Sequence, residues 1–390
     1  MEPKGKNPAA GEAAIAAGEA TINGERAAAL SLSCFLAEHG WPLRVPTGKK
    51  TPGELWQLSE RYLAGLLGLA SKSIPRLADF RDSFDARAKY AVLQRQGVEF
   101  VTLGENCYPE FLAGIHDPPP ALFIKGDPAR LTEFVKQPRV AIVGARAASP
   151  YGLDATAAIA SGLASAGVCV VSGMAVGIDA AAHRGALSAN GATLAVLGCG
   201  PDVIYPAVNR KLYALLASRG LIVSEYPPGT RALPWRFPAR NRIMAGLSQA
   251  VIVVEAREKS GALITADFCL EEGRDVFAVP GSIFSDLSAG PHGLIRSGAG
   301  IVCSAEDVLE GLGLEEQRQL LLEPGDARDP GDLNETENKM LQALGGQPQH
   351  QDVLAARAGL DGPGAAAALV SLELRGLACL DAARGYRRKG

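Results

Sequence analysis

Apolar and polar positions follow three rhythms along the chain. Through roughly residues 28–80 the apolar side chains recur at helical spacing, as in LSLSCFLAEHG and in ELWQLSERYLAGLLGLA with Leu55, Leu58, Tyr62, Leu63, Leu66 and Leu67. Each stretch stops at Gly or at a Pro-containing turn, so a compact helical bundle is expected. FDARAKYAVLQRQGVEFVTLGENCYPEFL then reads as helix, Gly stop, short strand and turn, and PPPALFIKGD adds another strand. From Arg139 the rhythm changes to strand-sized Val/Ile-rich runs: RVAIVG, VCVVSG, TLAVLG, LIVSE, AVIVVEA, VFAVPG and GIVC. Helical stretches such as GLDATAAIASGLASAG, GIDAAAHRGALSANG and ALITADFCLEEG separate them. Strands apolar on both faces and joined by helices predict a parallel sheet covered on both sides, an α/β doubly wound Rossmann-like fold. Beyond an acidic stretch punctuated by Pro and Gly, three short helical patterns and a hairpin pattern predict a small C-terminal winged-helix domain. Its third helix is nearly all Ala and Leu, with Arg375 as its base. That composition fits packing or protein contact better than reading a DNA groove.

Composition narrows the class without choosing a function. The 390 residues are enough for two to three domains of about 150 each. Hydrophobic content of 47% with 21% charged residues is an ordinary globular balance. The first twenty residues contain no apolar core of the kind a secretory signal has, and the apolar runs are strand-sized, so neither export nor a membrane span is expected. Seven cysteines (34, 107, 169, 199, 269, 303 and 379) form no CxxC pair, which predicts reduced thiols, a cytoplasmic setting and no zinc ribbon. Net charge is −3, which as a whole-chain figure speaks against a polyanion partner. By segment the picture differs: residues 139–300 sum to +3 and residues 301–330 to −6. The region of the expected sheet is therefore mildly basic, and a short connector hides it.

Ligands of a doubly wound sheet bind beyond the carboxyl ends of its strands. Here those ends read Gly144-Ala145-Arg146, Ser172-Gly173-Met174, Gly198-Cys199-Gly200, Glu225-Tyr226-Pro227, Glu255-Ala256-Arg257 and Pro280-Gly281. Small residues there let a ligand approach the backbone, and glycine turns entering helices offer N–H groups to anions. Neither a GxGxxG turn after the first strand nor a GxxxxGK[ST] loop is present, so no dinucleotide, ATP or other cofactor is expected. The segment RALPWRFPARNRIMAGLS reads as a loop carrying Arg231, Arg236, Arg240 and Arg242, with Trp235 and Phe237 between them. Guanidinium groups suit phosphates and aromatic faces suit unpaired bases. With Arg146, Arg210, Lys211 and Lys259, these cations would form a polyanion-binding rim. Two groupings suggest an enzyme instead. Asp179 and His183 are one helical turn apart, and Glu255 stands at a strand end where a nucleotide or phosphoribosyl hydrolase would keep a carboxylate. Their simpler reading is structural: a helix-capping Asp, a His bonded to nearby backbone, and a Glu holding the arginine segment. Ser172 and Ser260 lack triad partners.

VAIVGARAASPYG, VVSGMAVGIDAAAHRGAL, TLAVLGCGPDVIYPAVNRKL, LIVSEYPPGT, FPARNRIMAGLSQAVIVVEAREKSGALITA and GRDVFAVPG occur in this order. Together they resemble the DNA processing protein A family (DprA, also called Smf), strongly over residues 139–300 and more weakly on either side. The resemblance implies a non-enzymatic, cytoplasmic single-stranded DNA-binding protein of natural transformation and recombination. Such a protein protects incoming strands, helps load the RecA recombinase and acts as a homodimer. Motif by motif it places DNA contacts at Gly144, Arg146, Ser172, Gly173, Arg210, Lys211, Arg240, Asn241 and Arg242, to which the rim adds Lys259. Two positions depart from the family pattern: Ala145, where Ser is frequent, and His292, where Asn is frequent. The expected organisation is a disordered tail (1–28), a helical domain of SAM or helix-hairpin-helix type with a short αβ extension (29–136) and the sheet domain (137–304). An acidic linker (305–332) and the winged helix (333–390) follow.

Overall fold

A computed structural model describes residues 22–39, 50–314, 333–374, 377–381 and 385–388. Most of the expected tail and linker lies outside these residues, as does Arg375. The chain divides into two compact units, Met1–Leu321 and Leu322–Gly390.

The first unit opens with helices α1 (Gly24–His39), α2 (Pro52–Trp56), α3 (Glu60–Leu66), α4 (Ile74–Ser83) and α5 (Ala86–Arg95). The run 54–70 expected as one helical pattern is two helices, because the chain breaks at Gln57–Ser59 between them. Strand β1 (Val98–Thr102), α6 (Glu110–Ala113), β2 (Ala121–Lys125) and α7 (Ala129–Lys136) follow. The alternating region is β3 (Arg139–Val143), α8 (Pro150–Ser165), β4 (Cys169–Ser172), α9 (Ile178–Ser188), β5 (Thr193–Leu197), α10 (Arg210–Arg219) and β6 (Leu221–Ser224). It continues through α11 (Arg236–Leu247), β7 (Ala250–Val253), α12 (Gly261–Glu271), β8 (Asp275–Ala278), α13 (Ala289–Arg296), β9 (Gly300–Ile301) and α14 (Ala305–Gly311).

The described strands of this unit make one sheet in the order β1-β2-β6-β5-β4-β3-β7-β8-β9. Strands β3 to β9 are parallel, and β2 and β1 extend the sheet antiparallel beyond β6. All seven strands expected after Arg139 are present. The αβ extension contributes its two strands to this same sheet rather than to a separate one. The reason is visible in β2, whose alternate side chains serve two cores: Leu122 and Ile124 join the cluster that runs under the whole sheet, while Ala121 and Phe123 pack with the helical region. Period-two alternation also splits the central strands. Ala141 and Val143 of β3 face one layer, Val140 and Ile142 the other. Helix α14 falls within the segment expected as linker. A capping box between Ser304 and Asp307 starts it, and buried Val308 and Leu309 fix it to the core.

The second unit consists of α15 (Glu335–Ala343), α16 (Gln351–Ala358), α17 (Gly362–Leu374) and the hairpin β10 (Ala378–Asp381) and β11 (Gly385–Arg388). It is the winged-helix order expected from the sequence. Leu354, Ala365, Leu369 and Leu372 form its core with Met340. On α17 the solvent side presents Ala367, Val370 and Glu373.

Candidate nucleic-acid interface

The chain lays down β3, β4, β5 and β6 in one direction, then returns to place β7 on the other side of β3. Crossovers therefore diverge between β3 and β7, and a crevice opens beyond their carboxyl ends. A cleft of about 410 Å³ occupies this place. Gly144 and Arg146 line it from the turn after β3, Asp179 from α9, Phe237, Arg240 and Asn241 from α11, and Thr265 from α12.

The turn carrying Arg146 is held by Glu255. The Glu255 carbonyl accepts from Ala145 N at 2.7 Å, and its buried carboxylate accepts from Ser149 N at 2.8 Å and from the Ser149 hydroxyl. Ser149 in turn caps α8 by accepting from Gly152 N. Glu255 thus holds the Arg146 turn rather than the 231–242 segment. Both of its oxygens are engaged, and it does not line the cleft. Gly144 is required here, because a Cβ would meet Ile178 and the Glu255 carbonyl.

Arg146 itself is exposed, with its guanidinium 5.3 Å from the centre of the Phe237 ring. Tyr205 stacks on Phe237 at 5.3 Å with a 27° interplanar angle, and Tyr205 is 42% exposed. Guanidinium, phenyl and phenol therefore form a short stack on the cleft wall. The cation–π contact contributes about 0.5–1 kcal/mol at such an exposed site.

The segment expected as an arginine loop is the helix α11. Pro238 is tolerated because it lies in the first turn, where its missing N–H costs nothing. Helical geometry turns successive residues by about 100°, and this separates Arg240, Asn241 and Arg242. Arg240 is buried beneath the cleft, donating to the carbonyls of Gly173 (2.8 Å) and Val196. A Cβ at Gly173 would displace the Arg240 guanidinium from these carbonyls. Asn241 donates to Gly261 O at 3.1 Å. Arg242 points away into the protein, where it pairs with Asp117 (3.0 Å) and Glu225 (2.7 Å). These two carboxylates hold its guanidinium above the ordinary arginine range despite burial. Arg236 is also committed: it donates to the carbonyls of Arg231 and Ala37 and lies over Tyr226 and Trp235.

The remaining expected contacts fall on different levels. Ser172 is fully buried and donates to Ile142 O at 2.6 Å, so its hydroxyl serves the sheet. Arg210 and Lys211 are exposed at the start of α10 and do not line the cleft. Lys259 is exposed in the turn before α12 and lines an adjoining groove between α12 and α13. The cleft thus gathers Gly144, Arg146, Arg240 and Asn241, whereas Ser172 and Arg242 face inward.

Asp179 lines the cleft with its carboxylate accepting from Ala175 N at 3.3 Å. Burial pushes its carboxyl up, partly offset by Arg240. His183 does not pair with it. The His183 ring is fully buried, with Nδ1 2.7 Å from the Thr193 hydroxyl. That hydroxyl donates to Val170 O at 2.8 Å, so Nδ1–H is the donor to it and Nε2 is left without a partner among the described residues. Burial holds the imidazole pKa down to about 3, and the ring is neutral. The structure therefore corrects the expected backbone bond of His183 to a side-chain one. Among the described residues no group of three or more His, Cys, Asp or Glu side chains could hold a metal.

Sequence reasoning missed Tyr205 and Thr265. Tyr205 lies in the stretch TLAVLGCGPDVIYPAVNRKL, five residues before Arg210. Thr265 projects from α12 into the cleft wall, and its hydroxyl has no partner among the described residues. Helical register from Ser260 is the signal that locates it.

Fold and cleft define a Rossmann-like α/β protein whose switch-point crevice is walled by a guanidinium and stacked aromatic rings. The family model for DNA recombination-mediator protein A matches residues 99–313, and the DprA winged helix domain matches residues 324–380. The chain belongs to the DprA/Smf family. The DNA processing protein DprA of Streptococcus pneumoniae is 49% identical over 205 residues, covering 53% of this chain and 71% of that protein. Protein Smf of Synechocystis is 35% identical over 362 residues, covering 86% and 91%. Among solved structures, the S. pneumoniae DprA matches with a TM-score of 0.61 at 37% identity, covering 74% of this chain and 98% of that one. DNA processing protein A of Helicobacter pylori, whose structure is described as revealing a unique single-stranded DNA binding mode, matches with a TM-score of 0.50 at 32% identity. It covers 56% and 97%. No single described helix is long and apolar enough to cross a membrane.

Proposed function

We propose that this chain binds single-stranded DNA in the switch-point cleft, without catalysing a reaction, and hands the strand to a RecA-class recombinase during transformation or recombination. The observation that carries the reading is the stack of Arg146, Phe237 and Tyr205 on the cleft wall. It offers a cation to a phosphate and aromatic faces to unpaired bases, and a duplex hides the faces such rings require. Asn241 lines the same cleft. Arg210, Lys211 and Lys259 supply exposed charge around the site. Arg240 acts from below by fixing the Gly173 turn. The single-strand binding described for the H. pylori relative supports this reading. Action as a homodimer in the cytoplasm is part of the same proposal.

Fluorescence anisotropy with a labelled oligothymidylate and its duplex tests it. The expected result is tighter binding of the single strand, weakening steeply as salt rises because phosphate contacts release counterions. Equal affinity for both forms overturns the assignment. The recombinase step is read separately: the chain should speed nucleation of RecA filaments on DNA already coated by single-strand-binding protein.

A further inference from the structure

The turn between β8 and the 3₁₀ helix Asp286–Ser288 before α13 carries two apolar side chains held out into solvent. Ile283 is 81% and Phe284 92% exposed. Scattered exposed apolar residues are ordinary, but a neighbouring pair this bare, on a turn whose stem is anchored, suggests use. The anchors are specific. Tyr151 Oη donates to Pro280 O at 2.6 Å, and His292 Nε2 lies 3.1 Å from Gly281 O. Ala256 N donates to Leu287 O at 2.7 Å on the far side. Stem and tip therefore behave differently: the backbone is fixed while the two side chains touch little.

The location connects this tip to the cleft. Strands β3, β7 and β8 are adjacent and parallel, so the turn after β8 leaves the same end of the sheet as the Arg146 turn. The two turns are separated by two strand spacings, about 10 Å at their roots. Tyr151, which grips Pro280, sits in the first turn of α8, directly after the Arg146 turn. Charge decides what the tip can bind. Asp286 is the one charged residue in 280–288, so the turn has no cation for a phosphate, and Ile283 and Phe284 offer an apolar and aromatic face beside Ser282.

We propose that Ile283 and Phe284 form a second stacking post for single-stranded DNA, taking an unpaired base of the strand as it leaves the cleft. This rests on the single-strand reading above and lengthens the path to include the β8 turn. A base offers a π-face whatever its identity, so the post adds affinity and length dependence without sequence preference.

The test is Phe284→Ala in the full-length chain, with Phe284→Trp alongside. Both are read by anisotropy on oligothymidylates of about 6 and about 20 nucleotides across a salt series. Loss of one stacked base should weaken binding of the longer strand about tenfold. The shorter strand should be unaffected, the slope against salt should stay unchanged, and Trp should restore binding. At 92% exposure the side chain contributes little to folding, so thermal unfolding should not move. Unchanged affinity for both lengths overturns the post, as does a changed salt slope. So does unchanged DNA binding accompanied by an altered solution mass, which would mark the tip as a protein contact. If the unsubstituted chain binds neither oligonucleotide, the single-strand reading fails together with the post.

Discussion

The two ends of the sheet use the same residue types for opposite purposes. At the carboxyl end Arg146 lies over Phe237 with its guanidinium exposed. At the amino end Arg139 and Arg274 both lie over Phe111, at 5.2 and 5.1 Å. These two spend their donors on carbonyls. Arg139 donates to Leu247 O (2.6 Å) and to the end of α7, and Arg274 to the carbonyls of Ala245, Gly246, Ser248 and Phe111. Positive charge at the C-terminus of α11 meets the negative end of the helix and caps carbonyls of its last turn. The amino-end pair is thus structural cement for the helix whose other residues line the cleft. Counting arginines measures neither function; what separates them is whether the guanidinium is buried or exposed.

The largest effect should come from removing a buried guanidinium that neutralises two carboxylates. Arg242→Ala leaves Asp117 and Glu225 as uncompensated, mostly buried carboxylates, and should cost about 3–5 kcal/mol in denaturant unfolding. A loss below about 1 kcal/mol would mean that Arg242 is not locked, and the division between buried and exposed guanidinium groups would fail.

A matched pair divides the two ends directly. Arg274→Ala should lose about 2–3 kcal/mol of stability while the folded protein keeps its single-strand affinity. Arg146→Ala should do the reverse, leaving stability within about 0.5 kcal/mol but weakening single-strand binding by about 1–3 kcal/mol and flattening its salt slope by about one unit. Unfolding curves and anisotropy on the same samples decide it, and exchanged outcomes would reverse the assignment of the two ends.

The smallest effect concerns His183, buried between the layers. It is neutral when folded, with a pKa of about 3, and near 6.5 when unfolded. Between those values the unfolded chain binds the extra proton. The contribution is therefore complete above pH 6.5 and falls by about 1.4 kcal/mol per unit as pH drops below it. His183→Gln should flatten this part of the stability profile measured by urea unfolding between pH 7 and about pH 5. A variant with the same slope as the parent would show that another group carries it.

Much of the sheet was legible because its strands are short apolar runs bounded by glycine, and a strand buried on both faces cannot be written any other way. The cleft's position followed from the same pattern, and the motifs carried the family. What escaped was orientation. RALPWRFPARNRIM looks like a loop because Pro and Arg dominate it, and only the helical turn reveals that Arg240 and Arg242 face opposite ways. The strand-end position of Glu255 points to a holding role, but its partner Ser149 is 106 positions away along the chain, and no local pattern encodes such a pairing. Tyr205 escaped for the same reason: its stack with Phe237 depends on two crossovers meeting, not on its neighbours.

The Glu255 clamp has a consequence for the order in which the protein becomes competent. The Arg146 turn is written early in the chain, yet the carboxylate that shapes it arrives more than a hundred residues later, with β7. A nascent chain that has emerged through α11 already holds Arg146, Phe237, Arg240 and Asn241, but it has no floor beneath the Arg146 turn and no α12 to close the crevice. Competence to hold a strand would then appear late and all at once during synthesis, when β7 docks beside β3, so a truncated product released before that point carries the cations of the site without the site.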